Sequence, residues 1–237
     1  MGRGEEVKKA VCLLSGGMDS AVTAGIAKSQ GYEIYAITFD YGQRHKKEIR
    51  CAKKLAEYFR VREHKIDRID LNEIGNSALT SNKKIPERGI EEIKNSRQIP
   101  ETYVPARNTI MLSFALAYAE VKGADAIFIG ANCIDYSNYP DCRPEYFKKF
   151  QEMADLATKR SVEGKRIEIK TPVIKMTKAD IVREGIRLGV PFEHTWSCYQ
   201  GKEKACGRCD SCVLRLKGFK DAGIKDPIEY ENEIQDQ

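Results

Sequence analysis

Apolar runs of strand length alternate along this chain with amphipathic stretches of helix length, and their order is the first guide to the fold. Val11-Cys12-Leu13-Leu14 is a continuous apolar run, and Ala21–Lys28 after it reads as a helix. Glu33–Phe39 forms a second, mostly buried strand. Residues 45–59 carry Ile49, Ala52, Leu55, Ala56 and Phe59 on one helical stripe, and Glu63–Ile69 is a short third strand. This order predicts a parallel sheet with right-handed crossovers. Ligands in such sheets gather outside the carboxyl ends of the strands, where Ser15–Asp19 and Asp40–Arg44 would fall.

Residues 76–105 break the rhythm. They are polar, hold Pro86, Pro100 and Pro105, and show no long periodic stripe, so they read as a partly ordered lid or partner-contact segment. Helix returns at Asn108–Val121, then a buried strand at Ala126–Gly130 runs into a polar loop. A helix from about Glu145 to Thr158, a strand near Ile167–Ile169 and a helix from about Lys178 to Leu188 follow, the last with Thr177 as a candidate cap. The polar tail after Gly223 carries no readable pattern, and no internal repeat is present. The expected architecture is one α/β domain over 1–237, a parallel sheet with flanking helices, with a cysteine-rich element at about 195–219.

Composition narrows the class only a little. With 41% hydrophobic and 32% charged residues among 237, the chain reads as a soluble protein with a core of ordinary size. A net charge of +5 favours anionic ligands but does not argue for direct nucleic-acid binding. No apolar stretch approaches the roughly 20 residues that span a bilayer, and no secretory region precedes the first strand. The expectation is a cytoplasmic protein with no membrane partner.

The segment Leu14-Ser15-Gly16-Gly17-Met18-Asp19-Ser20 carries the sharpest chemical signal. A strand, a glycine turn and a helix start point backbone N–H groups and the positive helix end at one spot, which suits phosphate oxygens. Gly16 and Gly17 allow close approach, and Ser15 and Ser20 add hydroxyl donors. Neither the Walker pattern nor Gly-x-Gly-x-x-Gly is present. Taken alone, the segment also reads as a turn in which Asp19 or Ser20 caps a helix. The arrangement resembles the PP-loop of the ATP pyrophosphatase superfamily, whose members split ATP into AMP and pyrophosphate to adenylate a substrate oxygen.

Eight cysteines are present, four of them within sixteen residues: Cys198, Cys206, Cys209 and Cys212. Four thiolates so closely spaced suit a tetrahedral Zn²⁺ with no open position, hence a structural metal. An iron–sulfur cluster and redox thiols are the alternatives, and His194 is a further nearby ligand type. Metal binding would order the segment after Trp196.

Further stretches extend the resemblance. Phe39-Asp40-Tyr41-Gly42-Gln43-Arg44-His45, Tyr103-Val104-Pro105-Ala106-Arg107-Asn108, Asp135-Tyr136-Ser137-Asn138-Tyr139-Pro140-Asp141-Cys142-Arg143-Pro144 and Thr171–Lys178 accompany the loop and the four cysteines. Together, over roughly residues 8–219, they resemble the 7-cyano-7-deazaguanine synthase family. Asn132-Cys133 and the long segment before Tyr103 depart from its pattern.

The resemblance implies a ligase that joins 7-carboxy-7-deazaguanine and ammonia at the expense of ATP, through an acyl adenylate, an amide and an adenylated amide, to a nitrile. It implies that Leu14–Ser20 bind ATP, that Asp19 places Mg²⁺ or caps the helix, and that Lys178, with Lys175, reaches the α-phosphate. Arg107 is implied to bind phosphate or the substrate carboxylate. Asp135, Tyr136 and Asp141 are candidates for the deazaguanine edge and the incoming ammonium. Asp40, Tyr41, Tyr103, Tyr139 and Arg143 complete the candidate substrate contacts, with Tyr41 and Tyr139 as stacking platforms or core residues. A homodimer is also implied. The rival readings are a tRNA-thiolating PP-loop enzyme using Cys133 or Cys142 as sulfur carriers, and a non-enzymatic nucleotide-binding module.

Overall fold

The computed structural model describes residues 7–44, 46–73, 75, 77–96, 98–134 and 138–231. Five parallel strands form one sheet: β1 (Lys9–Leu13), β2 (Glu33–Asp40), β3 (Glu63–Arg68), β4 (Ala126–Phe128) and β5 (Glu168–Lys170), in the order β3-β2-β1-β4-β5. The helices are α1 (Met18–Ser29), α2 (Lys47–Phe59), α3 (Ile90–Asn95), α4 (Arg107–Lys122), α5 (Pro144–Ala157), α6 (Lys159–Val162), α7 (Lys178–Arg187) and α8 (Asp210–Ala222). None of the described helices is long and apolar enough to cross a membrane.

Side chains alternate across β1 and so build two cores. Ala10 and Cys12 face one core with α1, α2 and Ile181 and Val182 of α7. Val11 and Leu13 face the other, with α4, α5 and the cysteine-rich segment. Both faces of the central strands are covered, which is why they read as continuous apolar runs. Edge strand β3 is largely exposed.

The polar stretch before α4 is packed against the body of the protein. Ala78, Leu79, Ile85 and Val104 are buried in the second core, and α3, with Ile93 buried, lies within the stretch. The described residues after Gly223, which end at Glu231, are also fastened down. Ala205 bridges Tyr230, and Asp226 holds Arg215 through two hydrogen bonds of 2.7 and 2.9 Å. Arg215 and Asp226 are almost fully buried, and Tyr230 donates to the same carboxylate at 2.6 Å. A buried charge pair is tolerated only with its remaining hydrogen bonds made. Here Thr195 Oγ1, Ser197 Oγ and the Phe192 carbonyl accept the remaining guanidinium protons.

Candidate active site

The chain turns from building one side of the sheet to the other at β1, so the carboxyl ends of β1 and β4 flank the switch point. Ser15–Ser20 follow β1 there. Gly16 has φ +87°, and a Cβ on it would sit 2.1 Å from the Glu48 carbonyl oxygen. Only glycine lets this loop lie against the start of α2. Gly130, just past β4, is equally constrained, since a Cβ would come within 2.7 Å of Ser20 N. The loop is cross-tied internally: Ser20 Oγ donates to Gly17 O at 2.9 Å and lies 3.0 Å from Ser15 Oγ. Trp196 N donates to Gly16 O at 2.9 Å, which joins the loop to the cysteine-rich segment.

Thr177 caps α7 in a full capping box with Asp180. That fixes the first helical residue, Lys178, whose Nζ lies 2.7 Å from Asp19 Oδ2. The loop and this pair open onto a cavity of about 330 Å³. Ser15, Gly17, Met18, Asp19, Ser20 and Lys178 line it, together with Tyr41, Arg107 and Tyr139. Arg107 Nη1 donates to Tyr41 Oη at 3.3 Å, and burial pushes the Tyr41 hydroxyl up to about 12. Among the described lining residues, Arg44, Arg88, Arg107, Lys178 and Arg215 face Asp19, Glu48 and Asp210. With Arg215 already paired to Asp226, four cations against three carboxylates make a setting for an anionic ligand.

Other candidates lie elsewhere. Leu14 is buried, and its carbonyl accepts from Thr38 Oγ1 at 2.5 Å. Asp40 pairs with Lys46 at 3.0 Å, Tyr103 Oη accepts from Ala106 N, and Arg143 and Lys175 are exposed; none of these four lines the cavity. Asp141 is buried, and its Oδ2 accepts from Asn108 N at 3.0 Å, so it closes the first turn of α4. The candidates Asp135 and Tyr136 lie outside the described residues.

The structure adds cavity residues that the sequence pattern does not single out. Glu48, in the first turn of α2, reaches the cavity, and burial pushes its carboxyl up to about 7 against the opposing effect of Arg107. Arg88 from the stretch before α4 grips Asp210 of α8 with two side-chain donors and its backbone N–H. Trp196 and Tyr199 complete the wall, and Lys47 Nζ sits 3.7 Å from the Trp196 ring. The signal that could have exposed Glu48 is its place three residues beyond a polar stretch at a strand's carboxyl end.

Behind that wall the sulfurs of Cys198, Cys206, Cys209 and Cys212 all lie within 4.8 Å of one another, and all four residues are buried. Backbone N–H groups of Gln200 and Cys206 point at Cys198 Sγ, and those of Arg208 and Cys209 at Cys206 Sγ, at 3.3–3.4 Å. Tetrahedral Zn–S bonds of about 2.3 Å would set sulfurs nearly 4 Å apart, so the residues fit a metal. The four other cysteines are free thiols, and burial raises Cys142 to about 11.

A parallel sheet of this order, with a serine–glycine loop at the carboxyl end of its central strand, defines an open α/β protein with a candidate ligand site at its switch point. The family model described as "Queuosine biosynthesis protein QueC" matches residues 9–223. Over 226 residues the chain is 57% identical to the 7-cyano-7-deazaguanine synthase of Thermoplasma acidophilum, covering 95% of this chain and 93% of that protein. The synthase of Saccharophagus degradans is 56% identical, with 95% and 99% covered. The 7-cyano-7-deazaguanine synthase 2 of Desulfitobacterium hafniense is 51% identical, with 96% and 95% covered. The chain belongs to the QueC family.

Proposed function

We propose that this protein is an ATP-dependent carbon–nitrogen ligase that makes 7-cyano-7-deazaguanine from 7-carboxy-7-deazaguanine and ammonia. The observation that carries this reading is the Asp19–Lys178 pair at 2.7 Å beside the Ser15–Ser20 loop, facing a cationic cavity large enough for organic ligands. Similarity to the named synthases over nearly the whole chain supports the choice of substrate.

A carboxylate needs no further activation near neutral pH, so the protein's work is orientation and charge stabilisation. The substrate carboxylate attacks the α-phosphorus, pyrophosphate leaves, and ammonia displaces AMP to give the amide. The amide oxygen then attacks the α-phosphorus of a second ATP, expelling a second pyrophosphate, and loss of AMP and protons leaves the nitrile. Ser15, Gly17 and Ser20 are assigned to the departing phosphates, and Lys178 to the charge that builds on the α-phosphate. Arg107, with guanidinium donors beyond the one given to Tyr41, is assigned to the substrate carboxylate or ring oxygen. The aromatic rings of Tyr41 and Tyr139 are assigned to its faces.

Mg²⁺ bound with ATP would offset phosphate charge, and Asp19 with the loop hydroxyls offers it hard oxygen donors. Zn²⁺ is the proposed ion of the four-cysteine centre, because thiolates are soft ligands and all four positions are filled by sulfur. The same resemblance supports a cytoplasmic homodimer acting on free bases. Sulfur transfer is the weaker reading. Cys142 is buried and held thiol-like by burial, and Cys133 Sγ donates to the Ile174 carbonyl at 3.0 Å.

The test is incubation with Mg-ATP, ammonium and 7-carboxy-7-deazaguanine, followed by mass spectrometry of nucleotides and deazapurines. Two AMP and two pyrophosphate per nitrile are expected. Absence of AMP refutes the reading, and AMP with the amide as end product refutes the nitrile step.

A further inference from the structure

Three carboxylates among the described residues line the cavity, and two of them are engaged. Asp19 is paired with Lys178 at 2.7 Å. Asp210 accepts three donors from Arg88. Glu48 differs: among the described residues its carboxylate has neither an ion pair within 4.0 Å nor a hydrogen bond. Its charged neighbour is Arg107, which already donates to Tyr41.

Two neutral side-chain acceptors of the cavity are engaged as well. Gln43 Oε1 takes Tyr41 N at 2.8 Å, and Asn132 Oδ1 takes Ile134 N at 3.1 Å. Glu48 is also rigidly held, because its own carbonyl is the atom lying against Gly16 and its residue sits in the first turn of α2. A fixed, unpartnered carboxylate beside aromatic rings is matched by a planar heterocycle that presents adjacent N–H donors.

Resting on the ligase reading above, we propose that Glu48 is the residue that selects the substrate's ring, its two oxygens accepting the ring N1–H and a 2-amino N–H. The class selected is the 2-amino-4-oxo pyrrolopyrimidine, and the analogue without the 2-amino group is discriminated against at Glu48. A hydrogen bond to a charged acceptor is worth about 1.5–3 kcal/mol, or roughly 10- to 150-fold.

The experiment compares kcat/KM for 7-carboxy-7-deazaguanine and its 2-deamino analogue, at saturating ATP and ammonium, in the wild type, Glu48→Gln and Glu48→Asp. The expected result is a preference of about 10-fold or more for the 2-amino ring in the wild type, carried mainly by KM. Glu48→Gln, which faces the 2-amino group with its own NH₂ in one orientation and N1–H in the other, is expected to flatten it to within about 3-fold. Glu48→Asp keeps the acceptor and should retain part of the preference. Binding of both bases without ATP, by calorimetry, gives the same ratio independently of turnover. An unchanged preference in Glu48→Gln overturns the proposal, as does a fall in kcat with equal effect on both bases. A wild type that turns over neither base overturns the ligase reading and the proposal together; a wild type active on both without preference overturns the proposal alone.

Discussion

Replacing Glu48 by glutamine should make the protein more stable, and increasingly so as pH rises. The carboxyl is pushed from 4.5 to about 7 by burial, so ionising it in the folded state costs more than ionising it in the unfolded chain. A raised folded-state value means that its contribution is fully present below the unfolded value near 4.5 and is lost as pH rises through about 7. That displacement sets a ceiling of about 3 kcal/mol. The side chain faces an open cavity, so about 2 kcal/mol is the working figure after solvent screening. Glutamine keeps the shape and stays neutral at every pH, so it escapes the loss. Urea denaturation of ligand-free, metal-loaded wild type and Glu48→Gln at pH 5, 6, 7 and 8.5 reads the difference directly. Any effect of pH on the metal centre is common to both proteins and cancels. The curves should nearly meet at the acid end and separate by about 2 kcal/mol at pH 8.5, equivalent to roughly 5 °C in Tm for a chain of this size. A constant offset, or a wild type more stable than the variant at pH 8.5, would refute the reasoning.

Other perturbations have defined outcomes. Asp226→Ala leaves the Arg215 guanidinium buried without its carboxylate and should cost about 3–5 kcal/mol in urea denaturation; a loss under about 1 kcal/mol would show that the pair is solvated. Gly16→Ala drives a methyl group into the Glu48 carbonyl and should lower ATP turnover by about 10²-fold or more through displacement of the loop. Circular dichroism near that of the wild type would distinguish this from unfolding. Chelation of the metal should expose four thiols to a thiol reagent and quench or shift Trp196 fluorescence, since that indole donates to the Cys198 carbonyl at 2.9 Å. Thiol release without a change at Trp196 would separate the metal from the cavity wall.

What could be read from the sequence follows where burial is apolar and regular. β1, β2 and β4 sit between two cores and are therefore continuous apolar runs, and α2 and α7 show their stripes because each has a single buried face. The Ser15–Ser20 loop and the cysteines are local in sequence and stand out for that reason. Helix α8 was legible only as part of a metal loop, because its buried side includes Asp210, Arg215 and Gly218 and so lacks an apolar period. The stretch before α4 buries isolated residues such as Leu79, Ile85 and Ile93 at irregular spacing, which looks like a polar loop. Glu48 reads as an ordinary acidic residue in a helix's first turn, and only the approach of α2 to Gly16 gives it a cavity to face. Asp141 shows the converse, a motif aspartate whose carboxylate closes a helix end.

The contact between Gly16 and Trp196 joins parts of the chain made at very different times. A growing polypeptide makes the Ser15–Ser20 loop about 180 residues before Trp196, so that loop gains its opposite wall only after Trp196 and the cysteines emerge. Arg215, which is seated beneath that wall on Thr195 and Phe192, waits longer still for Asp226. The pocket is thus finished only once Asp226 has emerged, and a chain cut short of it holds the Ser15–Ser20 loop without a chamber in which to use it.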